Sequence, residues 1–112
     1  MKHLLSLRKT PVEDLMKILD RVEEMKRERA SLTERPLNDQ IWALIFSKSS
    51  TRTRVSFEVG IRELGGQSLF LSANDIQLGR GEPIQDTARV LGRMVHGAVI
   101  RTYDQSDVEI FA

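Results

Sequence analysis

The segment that most constrains this chain is "IWALIF", Ile41 to Phe46, an unbroken run of six apolar residues. A strand with one face in water alternates apolar and polar residues, whereas a continuous run needs cover on both faces. Six residues suit a strand better than a helix. The flanking segments supply the cover. "TPVE" places Thr10 as an N-cap, Pro11 at the first helical position and Glu13 three residues after the cap, the pattern of a capping box. Val12, Leu15, Ile18 or Leu19, Val22 and Met25 then recur at helical spacing, with Asp14, Lys17, Asp20, Arg21, Glu24 and Lys26 on a solvated opposite face.

Beyond the central run, the spacing predicts a helix from about Thr53 to Leu64 that stops at Gly65-Gly66. "SLFL" reads as a second strand and "SANDIQLGRGEP" as a polar loop. Pro83 opens a helix with Ile84, Ala88, Leu91 and Met94 on one face, closed by His96-Gly97, and "AVIRTY" reads as a third strand. "DQSDVEIFA" starts a further helix with Ser106 as its cap. Helix and strand alternate, with connections long enough for parallel crossovers. The expected class is α/β: a three-layer domain with a parallel sheet flanked by helices.

Charge and composition exclude several functions. The chain has 112 residues, enough for one small domain, and a formal net charge of +1 from 17 basic and 16 acidic residues. A general nucleic-acid binder carries a clear basic excess, so an anion site here must be local. Without cysteine there is no disulfide framework and no thiolate metal site. His3 and His96 lack ligand spacing, so no metal is expected. Ser6 and Arg8 interrupt the apolar part of the N-terminus, which is too short for a secretion signal. No run approaches the roughly 20 apolar residues of a membrane helix. The expectation is a cytoplasmic, soluble protein with neither nucleic acid nor membrane as partner.

In an open parallel sheet, ligands bind beyond the carboxyl ends of the strands. Three features project there: the "SKSSTRT" loop, the "SANDIQLGRGEP" loop and Arg101 at the end of the third strand. A strand-to-helix turn gathers unpaired N–H groups at the positive end of the helix dipole, which favours an anion. Ser50, Thr51 and Thr53 add hydroxyl donors, and Arg52 adds a planar fork matched to phosphate or carboxylate oxygens. Neither a P-loop nor a dinucleotide fingerprint is present. Arg54 lies within the first turn and pairs as well with Glu58 at i+4 as with a ligand. His96 reads as a charge partner for a helix C-terminus.

These residues carry a resemblance. "FSKSSTRTRVSFEVG" is similar to the S-T-R-T-R signature of the aspartate and ornithine carbamoyltransferases, and "DIQLGRGEPIQDTARVLGRM" followed by "IRTY" resembles the ornithine branch more closely. The resemblance covers nearly the whole chain. It implies that residues 1–112 form the N-terminal carbamoyl-phosphate-binding domain, incomplete at its C-terminus, with the amino-acid-binding domain absent. It further implies carbamoyl phosphate bound by Ser50, Thr51, Arg52, Thr53 and Arg101, with Arg52 and Arg101 as the catalytic groups. Gln77 would reach the site of a neighbouring subunit in a homotrimer or higher oligomer. No metal or organic cofactor is implied. L-ornithine would bind through the absent domain, giving L-citrulline and phosphate in arginine metabolism. The family's later H-P-x-Q segment is missing, and His96 stands where the family usually has an acidic residue. The fragment alone is therefore expected to be inactive. The alternatives are a carbamoyltransferase acting on another amine such as putrescine, or a non-catalytic anion-binding or assembly module.

Overall fold

A computed structural model describes residues 1–72 and 83–112. The chain divides into two units, Met1–Glu34 and Arg35–Ala112. In the first, α1 spans Val12–Arg27. Its start differs from the capping box. Pro11 has a ψ of 138° and occupies the cap position, and no side chain caps the helix. The Thr10 hydroxyl instead donates to the Ser6 carbonyl at 2.7 Å. A hydroxyl offered a nearby carbonyl in the preceding turn takes it, and the capping geometry is lost. Near the other end, Arg21 bridges Glu24 at 3.0 Å and Glu34 at 2.6 Å on the solvated face.

The second unit holds a three-stranded parallel sheet in the order β2-β1-β3, with β1 Ile41–Phe46, β2 Gln67–Ser72 and β3 Gly97–Arg101. β1 is central, and its continuous apolar run has the cover that the sequence demanded. Ala43, Leu44 and Ile45 are 0% exposed and Phe46 is 3% exposed. Alternation along the strand sends Leu44 and Phe46 to one face and Ala43 and Ile45 to the other. On the first face they pack with Ile61 of α2, Thr51–Glu63, and with Leu37, Trp42, Phe70 and Val99 around them. Burying a leucine this completely contributes about 1.5–3 kcal/mol.

The path β1–α2–β2 moves outward from the centre, and β2–α3–β3 returns past β1 to the far edge; α3 spans Ile84–Gly92. Right-handed crossovers, the near-universal hand, put α2 and α3 on opposite faces. The expected α/β class with a parallel sheet flanked by helices is the fold found. α2 ends in a Schellman motif: the Gly66 N–H donates to the Ile61 carbonyl at 2.9 Å and the Gly65 N–H to the Arg62 carbonyl at 3.0 Å. Gly65 takes a φ of +94°, as its place after the helix requires.

Three boundaries differ from the sequence reading. α2 begins at Thr51 rather than Thr53, because Ser50 is the cap. α3 stops at Gly92, so Met94 lies beyond it and is 69% exposed. The last helix, α4, spans Gln105–Phe111 with Asp104 rather than Ser106 at its cap. His96 also has another role. Its Nδ1 accepts from the Ile41 N–H at 3.1 Å, and its own N–H donates to the Ile41 carbonyl at 2.9 Å. It clamps the start of β1 beside the approach to β3 and does not act as a helix-end charge. Among the described residues no helix is long and apolar enough to cross a membrane.

The β1–β3 pairing depends on one small residue. Gly97 sits opposite Trp42, and a Cβ built there would lie 2.5 Å from the indole ring. Gly97→Ala should therefore destabilise the protein by about 1–3 kcal/mol. Gly60, inside α2, has nothing within 4 Å of such a Cβ, so Gly60→Ala should stabilise by about 0.5–1 kcal/mol. Urea unfolding followed by far-UV circular dichroism tests both signs.

Candidate functional site

The site is built where β1 ends. Phe46 is paired with Arg101, and the Ser47 N–H donates to the Arg101 carbonyl at 2.8 Å, carrying the β1–β3 ladder one residue past the strand. The chain then turns through Ser47–Ser50 into α2. Ser50 is extended, with φ −163° and ψ 102°. Its Oγ accepts from the Thr53 N–H at 3.4 Å and donates to the Thr53 Oγ1 at 2.9 Å. This cap leaves the Thr51 and Arg52 N–H groups without intrahelical acceptors, because the first turn of any helix does.

The charges around that turn separate it from the other helix starts. α1 carries Glu13 and Asp14 in its first turn and α3 carries Asp86, the acidic residues that complement a helix dipole. α2 has no acidic residue in its first turn and carries Arg52 there instead. The positive end of this dipole is reinforced rather than neutralised. Such an arrangement costs stability unless an anion completes it.

Beside the turn lies an open cavity of about 450 Å³. Ser47, Ser49, Ser50, Thr51 and Ser72 line it, together with the apolar Phe46 and Phe70. The two rings meet edge-on, with centroids 5.5 Å apart and planes at 68°. Arg54 also lines it but is held by other partners. Its guanidinium lies 3.6 Å from the Phe70 ring centroid, and its Nε is 3.5 Å from Glu58. The i+4 ion pair anticipated from sequence is present, with a cation–π stack added.

The predicted site residues distribute as follows. Ser50 and Thr51 line the cavity, while Thr53 is half-buried and engaged with Ser50. Arg52 projects into solvent from the first turn, with no ion pair among the described residues. Arg101 stands at the same sheet edge, and its Nε is buried without a hydrogen-bond partner among the described residues. Buried N–H groups are normally hydrogen-bonded, and this one belongs to a guanidinium at the sheet edge where α2 starts. Gln77 lies outside the described residues. Ser72 and Phe70 are the contributors that sequence reading missed. Ser72 enters because it is in register with Phe46, a cross-strand fact without a local signal. Among the described residues no cluster of three or more metal-ligating side chains occurs.

The family model described as "Aspartate/ornithine carbamoyltransferase, carbamoyl-P binding domain" matches residues 2–112. The chain belongs to this family. The ornithine carbamoyltransferase of Akkermansia muciniphila is 62% identical over 112 residues, covering 100% of this chain and 37% of that protein. Among solved structures, the anabolic ornithine carbamoyltransferase of Campylobacter jejuni is 46% identical with a TM-score of 0.90, covering 100% of this chain and 36% of that one. The ornithine carbamoyltransferase of Pyrococcus furiosus is 45% identical with a TM-score of 0.92, covering 98% of this chain and 36% of that one. The chain thus spans little more than a third of the carbamoyltransferases it matches.

The cap of this carbamoyltransferase turn has a measurable contribution. Ser50→Ala should cost about 1 kcal/mol, and Ser50→Gly only a few tenths. Equal urea midpoints for wild type and Ser50→Ala would show that the Thr53 contact contributes nothing to the fold.

Proposed function

We propose that this chain is the carbamoyl-phosphate-binding part of an ornithine carbamoyltransferase, which converts carbamoyl phosphate and L-ornithine to L-citrulline and phosphate. The observation that carries the reading is the α2 start: free N–H groups, hydroxyls and Arg52, with no acidic residue in the first turn, at the carboxyl edge of the sheet. Family membership and the names of the relatives support the choice of ligand. In this reading the phosphate group rests on the Thr51 and Arg52 N–H groups and the hydroxyls of Ser50, Thr51 and Thr53. Arg52 and Arg101 flank it, and Gln77 arrives from a neighbouring subunit of a homotrimer. L-ornithine is held by polypeptide beyond this stretch.

The chemistry needs what these residues offer. The amine nitrogen of ornithine attacks the carbamoyl carbon, forming a C–N bond. The C–O bond to phosphate breaks, the phosphate leaves with the electron pair, and the nitrogen gives up a proton. Negative charge grows first on the carbonyl oxygen and then on the leaving phosphate. Arg52, Thr53 and Arg101 supply fixed positive charge and hydrogen-bond donors for both. Holding two small reactants together contributes much of the remaining acceleration. The likeness to the anabolic ornithine carbamoyltransferase of Campylobacter jejuni supports a place in arginine biosynthesis.

Calorimetric titration with carbamoyl phosphate tests the anion site. Saturable binding is expected, with its loss in Arg52→Ala and marked weakening in Arg101→Ala. An unchanged isotherm for Arg52→Ala would remove Arg52 from the site, and an unchanged isotherm for both variants would sink the anion-site assignment. In the complete enzyme, removing one such donor should lower kcat by about 10²–10³, read from citrulline formation.

A further inference from the structure

Lys48 stands two residues before Ser50, and Tyr103 two residues after Arg101. The Ser47–Arg101 hydrogen bond at 2.8 Å brings the two strand ends side by side. Beyond it the chains part, one into α2 and the other into α4. The Lys48 ammonium nevertheless sits over the Tyr103 ring, 5.7 Å from its centroid, within cation–π range. Lys48 makes no ion pair among the described residues. Tyr103 is 74% exposed, unusual for so large a ring. The Thr102 hydroxyl donates to Asp107 at 2.9 Å, which ties the base of the Tyr103 loop to α4.

So exposed a contact adds little to folding. Its effect is on where the ammonium dwells. A free lysine explores many rotamers, and ordering it when a ligand binds costs affinity. Resting on the ring, the charge is held at the strand end that leads into the Ser50 turn and is bonded, through Ser47, to Arg101. We propose that Tyr103 is a positioning residue, which holds Lys48 at the carboxyl end of the β1–β3 pair as a further cation for the phosphate group of the bound anion. This rests on the anion-site reading above.

Calorimetric titration of carbamoyl phosphate into the protein and its variants tests it. Tyr103→Leu should weaken binding about three- to fivefold, whereas Tyr103→Phe, which keeps the ring, should match wild type. Lys48→Met, which loses the charge itself, should weaken binding about tenfold. The Lys48→Met, Tyr103→Leu double variant should be no worse than Lys48→Met, with urea midpoints unchanged throughout. Wild-type affinity in Tyr103→Leu, or the same further loss in the Lys48→Met background, overturns the inference. Loss in Arg52→Ala with none in Tyr103→Leu removes this inference alone. Loss in Tyr103→Leu with none in Arg52→Ala removes the Arg52 assignment alone, and no loss in either removes both.

Discussion

Everything in the second unit depends on β1 being hydrogen-bonded on both edges and buried on both faces. Its backbone groups pair with β2 on one side and β3 on the other, and its last four residues, Ala43 to Phe46, are buried. That arrangement cannot continue past Phe46. Ser47 makes one last bond to the Arg101 carbonyl, and the next residues must find other partners. The crowd of hydroxyls and cations stands where the ladder runs out. The cap formed by Ser50 and Thr53 meets part of the demand, and the N–H groups of Thr51 and Arg52 have no acceptor within the helix. The site is the unfinished end of the most finished element.

The contrast between Arg52 and Arg54 follows from two residues of helix rotation. Arg54 turns back over the sheet, where Phe70 and Glu58 occupy its face and edge. Arg52 turns outward with no ion pair among the described residues. Identical side chains thus divide into one that braces the wall of the cavity and one that is exposed at the helix start. The stack on Phe70 also joins the first turn of α2 to β2, so the turn is braced from its apolar side while its polar side stays open.

Much of this was legible in the sequence because the signals were local. The unbroken run Ile41–Phe46 declared a strand covered on both faces, Gly65-Gly66 marked the helix stop, and Glu58 at i+4 announced the Arg54 pair. The readings that failed were those in which a residue had a choice of partner. Thr10 had a carbonyl in the turn before it and took that in place of the cap. His96 met Ile41, 55 residues away in sequence, a pairing that exists only once β1 and β3 are adjacent. Ser72 reached the cavity through cross-strand register, which periodicity within one strand cannot reveal. Local chemistry was readable, and chemistry created by strand order was not.

The Trp42–Gly97 contact has a practical consequence. Trp42 is the only tryptophan in the sequence and lies near the start of β1, whereas the anion turn follows its end. Trp42 and Phe46 are four steps apart along the strand, about 13 Å at the usual rise. The indole is packed over the Gly97 backbone and donates to the Gln40 side chain at 3.0 Å. Its emission is therefore a gauge of whether β1 and β3 are joined at their amino ends. Occupancy of the opposite edge would leave that gauge still, so a silent fluorescence titration would say nothing against binding.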